Sequence, residues 1–362
     1  MSSIRPSVVD LRSDTVTRPT AEMYAAMRAA ELGDDVLGDD PTVRQLEETI
    51  ASRLGKEAAC FVPSGTMANQ SAIRALTRPG DEIIAHRDSH VIHYETGALA
   101  GICGVQVRPI DGAGGVFDPA EVDAAVRPAN HHSPRTSLLV LENTNNRGGG
   151  TVWRPDAFAA ACAAARRRGL RIHLDGARLF NACVALMAPP TTWTRLVDTV
   201  SVCFSKGLGA PAGSAVAGDA ATIGEVRRLR KMLGGAMRQS GLLAAAALHA
   251  LDRHVERLEE DHRLAERLAE GVETIAGLAL VPMPAPRTNM VFFDLDPRCG
   301  SAASVCAALE AGGVRLLPFG PQRLRAVTHL DVDAAGIARA IAALRAAVAG
   351  DSALHRAEVR AS

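Results

Sequence analysis

Seven short apolar runs alternate with Ala-, Leu- and Arg-rich helical stretches across the first two thirds of the chain, and this alternation limits the fold more than any other feature. The runs are Ala58–Val62, Glu82–Ala85, Val105–Pro109, Ser137–Leu141, Arg171–Leu174, Thr199–Phe204 and Ser214–Ala217. Between them lie helical patterns that include Met67–Leu76, Pro119–Val126 and Pro155–Arg168. Strands that are apolar on both faces and separated by helices predict a mostly parallel sheet covered by helices on each side. Functional groups of such sheets gather beyond the carboxyl ends of the strands. The residues at those positions are Ser64-Gly65-Thr66, His90, Asn143–Asn145, Asp175 and Lys206. All fall outside the hydrophobic pattern, and together they predict one site.

Lys206 stands out because the chain has 40 basic residues and only three are lysines: Lys56, Lys206 and Lys231. A lysine amine can lose a proton and attack a carbonyl, which an arginine guanidinium cannot do. Lys56 (RLGKEA) reads as a helix end and Lys231 (RRLRKM) as part of a solvated helix face, whereas Lys206 follows an apolar run and precedes Gly207 and Gly209. Taken alone, Lys206 reads more readily as a strand-end lysine that snorkels to solvent. Asp175, which ends the apolar run LRIHLD and precedes Gly-Ala-Arg, shifts that balance. A strand-end lysine and a strand-end aspartate on one sheet suit pyridoxal phosphate: the amine makes a Schiff base, and the carboxylate keeps the ring nitrogen protonated.

The rest of the sequence narrows the class. The 362 residues are enough for two domains, 47% of them are apolar, and the formal net charge is zero, so no general attraction to nucleic acid or anionic membrane is expected. The basic clusters Arg166–Arg168 and Arg227–Lys231 read as solvated helix faces. No apolar run reaches the ~18 residues that span a bilayer, and the N-terminus has no apolar signal core, which predicts a cytoplasmic protein. The seven cysteines include no Cys-x-x-Cys pair, and His90 and His93 lack further ligands at suitable spacing, so neither disulfides nor a metal are expected. The turn FVPSGT, followed by a helix, offers backbone N–H groups to a phosphate, while both nucleotide-binding glycine fingerprints are missing. Arg178, Arg238 and Arg325 sit among small or apolar residues and are candidates to hold carboxylate or phosphate. His329, within AVTHLDV, reads as structural. The expected organisation is an N-terminal arm (1–20), a large domain (21–250), a small C-terminal α/β domain (251–350) and a tail (351–362), with one long helical region from Leu242 to Ile275 between the two domains.

The motifs DLRSDTVTRPT, GDDVLGDDPTV, PSGTMAN, LENTNN, HLDGARLFNA, SKGLGAPAGS, RKMLGGAMRQSG and RAVTHLDV occur in this order along nearly the whole chain. They resemble the low-specificity L-threonine aldolase family of fold-type-I pyridoxal-phosphate enzymes, in the aldolase and beta-eliminating lyase superfamily. The resemblance implies a large domain with a mostly parallel seven-stranded sheet, a small C-terminal α/β domain, and homodimers or homotetramers with active sites at subunit interfaces. It implies that Lys206 carries the cofactor and that Asp175 pairs with its ring nitrogen. Arg178 would contact the region of the ring hydroxyl, and Gly65, Thr66 and Ser205 would hold the phosphate, joined by Arg238 from the neighbouring subunit. His90 would stack on the ring and help move protons. Ser13 and Arg325 would bind the substrate carboxylate, with Arg178, Tyr94, Asn145 and the partner's Lys231 also on the substrate side.

Two positions depart from the family pattern. Asn145 stands where the family has a histidine thought to hold the substrate's β-hydroxyl, and Leu37 stands where it has a tyrosine. The implied activity is retro-aldol cleavage of L-threonine, L-allo-threonine or a related β-hydroxy-α-amino acid to glycine and an aldehyde. Elimination, racemisation or transaldolase exchange on the same cofactor is the alternative. A non-catalytic scaffold and a nicotinamide oxidoreductase are weaker readings, opposed by the Asp175/Lys206 pair and by the missing glycine fingerprint.

Overall fold

The computed structural model describes residues 8–361, with residues 350–361 as backbone only. Residues 1–7 of the expected arm and Ser362 of the expected tail lie outside it. The large sheet has seven strands: β1 (Ala58–Val62), β2 (Glu82–His86), β3 (Gln106–Ile110), β4 (Thr136–Glu142), β5 (Arg171–Asp175), β6 (Thr199–Cys203) and β7 (Ser214–Gly218). Their spatial order is β1-β7-β6-β5-β4-β2-β3. The pairs from β6 to β3 are parallel, and β7 runs antiparallel to both of its neighbours, β1 and β6. β1 therefore points the same way as β6, so six of the seven strands end at one edge of the sheet. The four central strands β4 to β7 are buried almost throughout, in keeping with helices on both faces.

A second core forms around the antiparallel strands Met290–Leu295, Arg323–Val327 and Leu278–Leu280, with helices Leu258–Glu273, Ala302–Ala311 and Ala334–Ala361 packed alongside. The helical region expected from Leu242 to Ile275 is broken into Gly241–Arg253 and Leu258–Glu273. At the break, the ring nitrogen Nδ1 of His254 bonds the Leu208 carbonyl at 2.8 Å. The first helix packs with the large core and the second with the small one. The run Val314–Pro318 is likewise two short strands in two different sheets, because Leu316 turns inward while Leu317 stays exposed.

The described part of the N-terminal arm is more than an arm. Val9 and Leu11 are buried in the second core, and Val9–Asp10 pairs in parallel with Val314–Arg315. The alternation of Val9 and Leu11 about Asp10 is the period-two signature of a half-buried strand. Arg230 also departs from its expected solvated face. It is buried, ion-paired to Asp35 at 2.8 Å, and donates to the Phe61 carbonyl at 2.7 Å. All seven cysteines are free thiols. Among the described residues, no helix is long and apolar enough to cross a membrane.

Candidate functional site

The site begins with two carboxylates that neighbouring strands place side by side. Glu142 at the end of β4 pairs in register with Asp175 at the end of β5. Two buried carboxylates so placed cannot both ionise easily, and their surroundings push them apart. Glu142 is driven up to about 7 by burial and by the charge on Asp175. Burial acts on Asp175 in the same direction, but the charges of His90 and Lys206 and the N–H of Ala177 outweigh it and hold Asp175 below the ordinary carboxylate range. Asp175 is thus the anion of the pair at neutral pH. Its Oδ1 accepts from Ala177 N at 3.1 Å and its Oδ2 from Asn69 Nδ2 at 2.8 Å.

Lys206 follows β6, the next strand, and is half-buried. Thr17 of the N-terminal segment donates its hydroxyl to the Lys206 carbonyl at 3.1 Å. His90 begins a short helix after β2 and is fixed at two points. Its backbone N–H donates to Glu142 Oε2 at 2.8 Å, and its ring Nδ1 lies 2.9 Å from Glu95 Oε1. His90, Glu95 and Asp175 bring their ligand atoms within 4.8 Å of one another. Asn69 and His90 already tie these groups together by hydrogen bonds, which accounts for the cluster without a metal.

A cup for an anion lies at the same edge. The Gly65–Leu76 helix is capped by Ser64, whose Oγ accepts from Met67 N at 3.2 Å, and no acidic residue occupies its first turn. A Cβ at Gly65 would come within 2.8 Å of the Cys203 sulfur at the end of β6, so only glycine lets this turn lie so close to the β6 terminus. Ser205 follows that terminus two residues on, and Thr66 follows Gly65 in the first turn of the helix.

The arginines divide by how they are neutralised. Arg178 is buried and grips Asp14 with two bonds of 2.7 Å, and Asp14 also accepts from Asn289 at 3.1 Å. Burial would raise the Asp14 carboxyl, yet the Arg178 guanidinium holds it far below its usual range. Arg325 is equally buried but bonds only neutral groups, Asn146 Oδ1 at 3.2 Å and the Arg12 carbonyl at 3.0 Å. Its Nε has no partner, and it forms no salt bridge among the described residues. Burial and the charge of Arg178 both work against this cation. A buried guanidinium left in this state is fitted to an anion supplied from outside the chain.

The remaining expected residues sit at the margins. Ser13 caps the turn Asp14–Val16 with its Oγ. Tyr94 is exposed, and its hydroxyl accepts from Arg147 at 3.1 Å. Lys231 is exposed at the end of the Ala220–Met232 helix. Arg238 is exposed and pairs with Asp34 at 2.8 Å. Asn145 is wholly buried, and both its polar atoms are engaged: Oδ1 accepts from Gly148 N at 2.6 Å, and Nδ2 donates to Glu142 at 3.3 Å. Held at both atoms, the side chain shapes the turn after β4. Five residues of the site escaped the sequence reading: Asn69, Glu95, Glu142, Asn146 and Asp14. The available signal was the run of polar residues Asn69–Ser71 at core positions of an otherwise amphipathic helix.

An ionised buried aspartate beside a lysine strand end, a helix start free of acid, and a buried arginine without its anion all fit pyridoxal phosphate and an amino-acid carboxylate. The sequence profile of the beta-eliminating lyase family matches residues 10–296. The chain is 45% identical to probable low-specificity L-threonine aldolase 2 of Arabidopsis thaliana, covering 89% of this chain and 92% of that protein. It is 42% identical to low specificity L-threonine aldolase of Escherichia coli strain K12, covering 94% of this chain and 100% of that protein. In fold it is similar to a solved structure of Leishmania major threonine aldolase, with a TM-score of 0.80 at 21% identity over 94% of this chain and 99% of that one. The chain belongs to the beta-eliminating lyase family, within its threonine aldolase branch, and is a fold-type-I lyase that depends on pyridoxal phosphate.

Proposed function

We propose that the protein cleaves L-threonine, L-allo-threonine or a related β-hydroxy-α-amino acid into glycine and an aldehyde. The observation that carries this reading is the buried, anion-less Arg325 lying in the same site as the Asp175/Lys206 pair. Bound pyridoxal phosphate supplies an electron sink for bonds broken at the substrate α-carbon. Lys206 would hold the cofactor covalently through Nζ. Asp175 would keep a proton on the ring nitrogen, and its ionised state suits that task. Gly65, Thr66 and Ser205 would cradle the phosphate, while Arg178 would stay fixed by Asp14 near the ring hydroxyl.

Arg325, with Ser13, would clamp the α-carboxylate and so decide which α-carbon bond stands perpendicular to the ring. His90 would cover the ring and move the proton of the β-hydroxyl. Asn145 would act on the substrate only through the turn it shapes. Arg238, Lys231 and the exposed Leu37 support a homo-oligomer in which a second copy completes the phosphate and substrate sites. A cytoplasmic setting is part of the same reading.

The test is release of glycine and aldehyde from L-threonine, L-allo-threonine and L-phenylserine, with Lys206→Ala as control. Glycine that vanishes in the variant supports the proposal, and a cofactor-loaded protein that yields none from any of the three sinks it. The matched family's description favours one second reading, β-elimination, which keto-acid formation would reveal.

A further inference from the structure

A single amide lies between the two anions that flank the cofactor position. Asn69 Nδ2 donates to Asp175 Oδ2 at 2.8 Å and to Glu95 Oε1 at 2.8 Å. Its orientation is set from behind, because Asn69 Oδ1 bonds Ser201 Oγ at 2.8 Å and His173 Nε2 at 3.1 Å. The reverse orientation would turn a carbonyl oxygen toward two carboxylates. His173 in turn places Nδ1 2.9 Å from Thr199 Oγ1, and burial keeps its ring neutral by lowering it to about 4. The His173 tautomer with a proton on Nε2 therefore satisfies both contacts.

Glu95 is the other half of the device. It is buried, its Oε2 accepts from Gln70 Nε2 at 2.5 Å, and its Oε1 serves both Asn69 Nδ2 and His90 Nδ1. A buried carboxylate facing Nδ1 makes that nitrogen the proton-bearing one and leaves Nε2 as the working nitrogen. The charged and titratable groups that face His90 are Glu95 and Tyr94 from its own segment, Glu142 from β4, Asp175 from β5 and Lys206 after β6.

We propose that Glu95 and Asn69 are positioning residues: they hold His90 with its proton on Nδ1 and link the protonation of His90 to the charge on Asp175. This rests on the reading of the site as the pyridoxal-phosphate site. Neither residue needs to touch cofactor or substrate. Asn69 transmits through one NH2 group whose two hydrogens bond two carboxylates. Withdrawal of one carboxylate's charge frees the amide to polarise toward the other.

The experiment is histidine ring NMR on the full-length protein, with and without pyridoxal phosphate, with the His90 signal assigned by its loss in His90→Asn. In Glu95→Gln the side chain keeps its shape and loses its charge. The His90 midpoint is expected to fall by about one pH unit or more, a tenfold or greater loss of proton affinity. In steady-state assays kcat is expected to fall about 10- to 100-fold, with KM within about threefold of wild type. A folded Glu95→Gln protein with an unchanged His90 midpoint overturns the proposal.

Should that variant fail to fold, Gln70→Leu decides. It removes the amide that shares the Glu95 charge and leaves His90 untouched, so the midpoint is expected to rise. An unmoved midpoint there overturns the proposal as well. Because the titration is read also without cofactor, its failure is distinguishable from failure of the lyase reading, which would appear as absent cofactor binding or absent glycine.

Discussion

The inner edge of the large sheet and the rim formed by residues 31–40 and 232–242 carry similar residue types and treat them differently. At the inner edge, Asp175, Asn69, Glu95, Glu142 and Arg178 are buried, and the chain itself supplies their hydrogen-bond partners. On the rim, Leu32, Leu37, Met232 and Leu242 are exposed, and Arg238 is 58% exposed beside Asp34. One buried pair, Arg230 with Asp35, anchors the rim to the body. The difference separates what one chain completes by itself from what, in the proposed homo-oligomer, it would offer to a second copy. An arginine whose anion comes from the same chain fixes a shape; one held at a surface by a single aspartate can be redirected.

The largest test of this contrast is Lys206→Ala, which is expected to lower turnover by on the order of 10⁴-fold or more with the fold intact, as measured by glycine release and circular dichroism. Arg325→Gln is expected next. It keeps neutral hydrogen bonding but removes the buried cation, so kcat/KM should fall about 100-fold, mostly through KM. If KM barely moves, Arg325 is not the carboxylate clamp.

Arg238→Ala is expected to weaken cofactor binding about tenfold, as read by equilibrium titration. The sharper form is complementation. At cofactor concentrations too low to fill Arg238→Ala sites, co-refolding of Lys206→Ala with Arg238→Ala chains should recover up to about a quarter of wild-type activity, since half the sites of a mixed dimer regain both residues. No recovery from mixed, folded chains would place Arg238 in its own subunit's site, and the rim would no longer differ from the interior.

Asn145→Ala should act as an interior change. We expect a loss of about 1–3 kcal/mol in stability from the unpaired Gly148 N–H and Glu142, with kcat within about fivefold. A large kcat effect without destabilisation would return Asn145 to direct chemistry. The smallest expected effect concerns pH. Burial keeps His173 and His262 neutral in the folded protein and lowers each to about 4, whereas the unfolded rings take a proton near the ordinary 6.5. The unfolded state thus binds more protons as the pH falls, so stability should decline from about pH 6.5 down to about 4. Each ring contributes at most on the order of 3 kcal/mol. Thermal midpoints across that range, compared with His173→Asn, check the sign.

Much of the interior was legible because strands announce their own ends. The expected starts of β1, β5, β6 and β7 match the structure, and Asp175 and Lys206 were found by standing where an apolar run stops. Glu95 was not legible, since a polar residue in a short loop looks solvated until something is known to pack over it, and Asn69 was signalled only by the polar run it shares with Gln70 and Ser71. Asp14 was hidden by distance: its partner Arg178 is 164 residues away, and no local pattern encodes that pairing. Arg230 was misread for the same reason, with its partner Asp35 far off in sequence. On the rim the sequence singled out Arg238 by its small and apolar neighbours, and the proposed second copy that would use it lies outside any pattern within one chain.

The short N-terminal strand has a consequence for how the protein comes into being. Val9 and Asp10 pair with Val314 and Arg315, and the Asp10 carbonyl bonds His329 across 319 positions. Asp14, a few residues on, closes on Arg178 in the large domain and Asn289 in the small one. This segment must therefore wait, unpaired, until residues 314–329 have left the ribosome. Contacts this non-local form late and slowly. A nascent chain cut short before residue 314 would thus present Lys206 and Asp175 on a formed sheet while the segment that carries Asp14 to Arg178 still lacked the strand it pairs with.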